Sequence, residues 1–87
     1  MNSKLSNLKR LYSQIDNKGE FVQFVADECK LSYGHVLNRW FQSKWKIPED
    51  QLDTMISYAQ KWIFKQTEHK RKILLETGFS FSENVNN

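Results

Sequence analysis

The chain has 87 residues and a formal net charge of +3. That length holds one small domain and no more. The lone cysteine, Cys29, rules out an internal disulfide. No apolar run approaches membrane-spanning length, and the N-terminus lacks the apolar stretch of a signal peptide. A reducing, intracellular (cytoplasmic) setting is therefore expected. Three Trp and six Phe supply enough large apolar surface for a core without staples.

The segment from Ser3 to Ile15 carries Leu5, Leu8, Leu11, Tyr12 and Ile15 at spacings of three and four. Lys4, Lys9, Arg10 and Gln14 fall on the other side. This pattern predicts an amphipathic first helix, with Ser3 as its cap. Asp16-Asn17-Lys18-Gly19 breaks it. Asn17 followed three residues later by Glu20 resembles a capping box. A second helix is predicted over about Glu20 to Lys30, with Phe21, Phe24, Val25 and Cys29 as its apolar stripe. Ala26 lies beside that stripe, where two helices can cross closely. Cys29 reads as a small buried thiol.

Leu31-Ser32-Tyr33-Gly34 is too short for anything but a tight turn between helices. Ser32 is placed to cap a third helix, about Tyr33 to Ser43. Val36, Leu37, Trp40 and Phe41 face inward. Tyr33, His35, Asn38, Arg39 and Gln42 face outward or sideways. Trp45 falls outside the stripe, either under the following elbow or toward a partner. Pro48 suits the first position of a fourth helix, followed by Glu49, Asp50 and Asp53. Leu52, Met55, Ile56, Ala59, Trp62 and Ile63 form its apolar face, and Ile73, Leu74 and Leu75 continue the pattern. Thr67 either interrupts this helix or sits within it. Gly78 is expected as its stop. The polar segment 80–87 is expected to be a disordered tail. The fold expected is all-α, with four or five helices in one domain over residues 1–79. A helix-turn-helix occupies about residues 20–43.

Charge is segregated along the chain. From Lys30 to Ile47 there is no acidic residue, while Lys30, Arg39, Lys44 and Lys46 are basic. Lys61, Lys65, Lys70, Arg71 and Lys72 meet only Glu68 in their stretch. The acids gather at Asp16, Glu20, Asp27 and Glu28, at Glu49, Asp50 and Asp53, and in the tail. This distribution gives a basic face, the electrostatic footprint of nucleic-acid binding. An ordinary solvated surface is the plainer alternative.

Residues 20–63 resemble the lambda-repressor-like helix-turn-helix domains, including the Cro and Xre types and phage activators of the same class. Ala26 matches the small residue midway along the first helix of the pair. Val36 matches the branched apolar residue about ten positions later. Leu31 and Ser32 match the apolar residue after the turn and the cap of the recognition helix. Leu37-Asn38-Arg39-Trp40 looks like the apolar-x-Arg-Trp ending of that helix, and Ile47-Pro48 like the start of the next. There are three departures from the pattern. Lys30 stands where the turn usually has Gly, and Val22 where the first helix usually has Gln. Satisfying both the Ala26–Val36 and the Leu37–Trp40 matches takes one extra residue in the turn or the recognition helix.

The resemblance implies a sequence-specific DNA-binding transcriptional regulator, such as a repressor, of phage or mobile-element origin. Such binding needs phosphate anchors and a few long polar groups that reach base edges. Arg39 suits guanine, and Asn38 or Gln42 suits adenine. Tyr33 and His35 lie at the end of the helix that points deepest into the groove. Lys44 and Lys46 follow the helix as phosphate anchors, and Lys18 is an anchor on the other flank. Plainer roles stand beside these: an Arg39 stem packed over Trp40, a Tyr33 covering the turn, a merely exposed His35.

No catalytic reading competes. Cys29 falls on the inner side of its helix, while Asp27 and Glu28 fall outside. Two His and one Cys give no zinc-ligand set, so neither a metal nor a cofactor is expected. The alternative function is a small helical module that grips a host protein through the same scaffold. RNA binding through Tyr33, Trp45 and the basic residues is a third reading, without the platform of the common RNA modules. The apolar residues from Trp62 to Leu75, with Phe79 and Phe81, exceed what a three-helix core needs. A homodimer through the C-terminal helical region is therefore expected alongside double-stranded DNA as partner.

Overall fold

The computed structural model of the protein describes residues 3–42 and 45–79. Lys44 and the segment 80–87 expected as a disordered tail lie outside the described residues. The chain forms α1 (Ser3–Ser13), α2 (Lys18–Cys29), a short α3 (Tyr33–His35) and α4 (Leu52–Glu76). A π-helical segment (Val36–Trp40) continues α3, and a 3-10 turn (Glu49–Gln51) leads into α4. No strand occurs among the described residues, so the all-α class holds.

Each helix forms where its apolar spacing demands, with shifted ends. Ser3 is the first helical residue of α1 rather than its cap, and α1 stops at Ser13. Two tighter bonds follow, Gln14 N–H to Leu11 C=O at 2.9 Å and Ile15 N–H to Tyr12 C=O at 3.1 Å. They turn the chain so that Ile15 is buried beyond the helix end. α2 begins at Lys18, two residues before Glu20. Asn17 is its N-cap, and its Oδ1 accepts the Glu20 N–H at 3.2 Å. Phe21, Val22, Val25 and Ala26 are all fully buried on α2. The small Ala26 thus lies in the packed interior, as its size suggested.

The C-terminus of α2 closes with a left-handed residue. Lys30 has φ 57° and ψ 43°. Leu31 N–H bonds Ala26 C=O at 2.9 Å, and Lys30 N–H bonds Asp27 C=O at 3.3 Å. This pair of bonds is the Schellman arrangement, in which glycine normally holds the left-handed place.

The second helix of the pair is shorter and wider than its spacing predicts. It ends at Trp40 instead of Ser43. The Phe41 N–H reaches Val36 C=O, five residues back, at 3.2 Å, and Leu37 C=O at 3.3 Å. A π turn holds one residue more than an α turn. Here it lets Val36, Trp40 and Phe41 all point inward while Asn38 and Arg39 stay exposed.

Pro48 is extended (ψ 140°) and precedes the 3-10 turn, so it is not the first helical residue. α4 then runs uninterrupted through Thr67 for 25 residues, about 37 Å at 1.5 Å per residue. It buries Leu52, Met55 and Ala59 and packs chiefly along α1. Phe21 links the layers: its ring lies 5.6 Å from Phe41, 5.5 Å from Trp62 and 6.2 Å from Tyr12. Trp62 also meets Phe24 at 5.5 Å, and Ile63 packs against the core. Both are therefore half-buried against the core, not part of an uncovered patch. Gly78, at φ +101°, ends the helix as expected. Its N–H bonds Leu75 C=O at 3.2 Å, and the Phe79 N–H bonds Leu74 C=O at 2.9 Å.

Gln66 marks where α4 leaves the bundle. Its Oε1 accepts the Asp16 N–H at 3.1 Å, and its Nε2 donates to Gln14 C=O at 2.7 Å. Lys70 pairs with Asp16 at 2.6 Å. From Thr67 to Phe79 every residue is exposed.

The left-handed Lys30 generates a prediction. An L-residue there costs about 1–2 kcal/mol, partly offset by the greater unfolded-state entropy of glycine. Lys30→Gly should stabilise the fold by roughly 0.5–1 kcal/mol, or about 4–8 °C in Tm per kcal/mol for a domain of this size. Thermal unfolding measures it, and a lowered Tm would contradict the left-handed cap.

Candidate nucleic-acid interface

Ser32 starts the candidate surface. Its extended backbone and its Oγ, which accepts the His35 N–H at 3.1 Å, open α3 as expected of a cap. Tyr33, His35, Asn38, Arg39 and Gln42 then emerge exposed from one short segment. Val36, Trp40 and Phe41 anchor that segment from beneath. Lys46 is exposed too, and its N–H bonds Arg39 C=O at 2.6 Å. That bond folds the post-helical strand of chain back beside Arg39. Six of the eight predicted residues are thus exposed on this stretch of chain. Lys44 is outside the described residues.

The predicted flanking anchor is partly occupied. Lys18 Nζ donates to Ile15 C=O at 2.9 Å and lies 5.5 Å from the centre of the Tyr12 ring. An ammonium has three donors, so one bond to a carbonyl leaves others for a phosphate oxygen. Glu20 stands in the same first turn of α2 and opposes an anion there. Val22, in the place of the pattern's Gln, is wholly buried and offers no polar contact.

Tyr33 does more than cover the turn. A Cβ on Gly19 would sit 3.6 Å from its hydroxyl oxygen, so the side chain reaches back to the start of α2. The Tyr12 hydroxyl is held above its ordinary pKa, first by burial and then by Tyr33. Tyr12, Lys18 and Tyr33 therefore converge at one corner, joining the two elements of the predicted site. His35 turns its ring toward Trp40, centroids 6.3 Å apart at 70°.

Trp45 settles between its two expected placements on the inner one. Its ring stands edge-on to Tyr12 at 5.5 Å and to Phe41 at 5.6 Å. Its backbone is left-handed, φ 50°. Lys9 Nζ of α1 lies 5.6 Å from the centre of the Trp45 ring. This brings Lys9 next to the Trp45-Lys46 segment, a placement that the chain order conceals. Only the outward phase of Lys9 on α1 hinted that it was available.

Cys29 is half-buried, and burial first, then Glu28, raises its thiol pKa. That favours an inert protonated thiol over a nucleophile. Among the described residues no group of three or more His, Cys, Asp or Glu side chains is placed to hold a metal ion. No described helix is long and apolar enough to cross a membrane. Comparison of the chain with protein-family models, curated proteins and solved structures gave no match.

If this surface faces a duplex, Lys9 and Lys46 are phosphate anchors and carry no sequence information. Lys9→Ala and Lys46→Ala should each weaken binding to all duplexes alike and lower the salt slope by about one unit. Affinity titrations across a salt series measure this. An unchanged slope in both variants would remove that flank from the interface.

Proposed function

We propose that this protein is a sequence-specific DNA-binding regulator that acts in a reducing, cytoplasmic setting. The observation that carries the reading is the exposed, acid-free segment of Tyr33, His35, Asn38, Arg39, Gln42 and Lys46, held on a buried base of Val36, Trp40 and Phe41. Long polar side chains projecting from a short helix suit base edges in a major groove. The basic residues around them suit the phosphates. The resemblance to lambda-repressor-like domains points the same way.

Selection from random duplex DNA with the purified protein tests the reading. An enriched motif is expected, and its absence would overturn it. On the enriched site Arg39→Ala and Asn38→Ala should cost about 1–3 kcal/mol and relax the preference at one position each. Uniform weakening on all sequences would deny them a reading role.

A homodimer belongs to the same proposal. One recognition helix reads few base pairs, and pairing restores useful specificity. Support comes from the far half of α4, where Phe64 is 65% exposed and Leu75 53%, with Ile73 and Leu74 also open. Sedimentation at tens of micromolar, a concentration suited to a modest interface, is expected to show a dimer. A monomer, free and on DNA, would exclude it. The same apolar end favours the second reading, a module that grips another protein. Binding that resists salt and ignores DNA would select that reading.

A further inference from the structure

A groove of about 390 Å³ opens between the C-terminal end of α2, the π segment and the first turns of α4. Leu31, Trp40, Cys29, Pro48 and Tyr58 give it an apolar lining, and Glu28 an acidic wall. Asp50 is exposed next to Gln51, another lining residue. None of the candidate DNA-contacting residues lines this groove.

Of the seven large apolar side chains left exposed among the described residues, two, Leu31 and Tyr33, lie between α2 and the π segment, and five lie on the far half of α4 or just past its end. Leu31, 38% exposed, stands at the groove; the five are Phe64, Ile73, Leu74, Leu75 and Phe79. The groove and the far half of α4 cannot meet within one chain. One continuous helix separates Tyr58 from Lys72, about 21 Å at its rise per residue. The groove is acidic at Glu28 and Asp50, and on the far half of α4 Lys72 stands exposed, one turn before Glu76 in a last turn that carries no basic residue.

We propose that the groove receives the α4 end of a second copy, the residues around Lys72 and Leu75, in a two-fold dimer with antiparallel α4 helices. This rests on the dimer reading given above and specifies its geometry. A two-fold axis makes each contact twice, so one groove and one helix end per chain are both satisfied. Antiparallel pairing sets Lys72 of each α4 beside Glu28 at the groove of the other copy. Phe64 falls near the midpoint between Tyr58 and Lys72, where the two helices cross. Apolar side chains that water now covers are then enclosed on both sides.

Disulfide trapping of the full chain tests the placement. Leu75→Cys adds a thiol at the helix end, and Cys29 already lies in the groove. Under oxidation at alkaline pH, where the Cys29 thiol ionises despite its raised pKa, Leu75→Cys should run as a covalent dimer, and adding Cys29→Ser should abolish the link. A link that persists in the double variant would join the two helix ends and overturn the antiparallel arrangement. A protein that sediments as a dimer yet forms no link would overturn it as well. Charge reversal gives an independent readout. Glu28→Lys and Lys72→Glu should each weaken the sedimenting dimer, and the combined variant should recover it, which no folding defect would do. Failure to recover would place Lys72 elsewhere. A strictly monomeric unmutated protein would overturn the dimer reading itself, and this placement with it.

Discussion

The ring of Phe21 is the contact on which the other elements depend. It is fully buried and meets Tyr12 of α1's inner face, Phe41 after the π segment and Trp62 of α4. Four chain segments distant in sequence thereby share one aromatic cluster. Offset and edge-on rings of this kind add roughly 0.5–1.5 kcal/mol per pair beyond the area they bury. In a small domain with about 5–15 kcal/mol of total stability, several such pairs fix the arrangement. Trp45 joins through Tyr12 and Phe41, so the candidate DNA-facing segment is tied to the same cluster.

The elements whose apolar residues recur at three and four were legible in the sequence. Ala26 and Val36 stand in the core as their sizes and positions indicated, and Gly78 stops α4 in the left-handed conformation. What periodicity missed was local and three-dimensional. It does not distinguish an α turn from a π turn, because both bring Val36 and Trp40 to one side. Nor does it see that Pro48 is extended, since proline suits both the cap and the first helical position. Trp62 was legible as part of the apolar face of α4, but its partners were not. Its partners Phe21 and Phe24 lie on another helix, and only the crossing of α2 with α4 brings them there.

The candidate site divides along the same line. Which side chains of Tyr33–Gln42 point outward follows from helical phase, and the structure leaves all five candidates in that stretch exposed. The return of the chain after Phe41 does not follow from phase. It depends on a bond from Lys46 N–H to Arg39 C=O and on a left-handed Trp45. That return brings Lys9 and Lys46, 37 positions apart in the sequence, to the same aromatic ring and its neighbour. Lys18 shows the converse. Its sequence position suited an anion, but the carbonyl of Ile15 and the ring of Tyr12 already engage it.

α4 gives the molecule its asymmetry. With principal extents of 46 × 28 × 19 Å, the long axis greatly exceeds the others. A helix that only closed a core would end near Gln66, where the amide bonds to Asp16 and Gln14 complete the cover of α1's end. The chain continues for ten residues of helix beyond that point, Thr67 to Glu76, all exposed. Isolated helical ends fray because they lack packing, and most helical stability in proteins comes from tertiary contact. Ile73, Leu74 and Leu75 are adjacent, so they face three directions around the helix and no single flat surface covers them. A groove does, since it has walls as well as a floor. The shape of the uncovered end therefore suits the proposed enclosure between helices, with the apolar groove beside Trp40 as its seat.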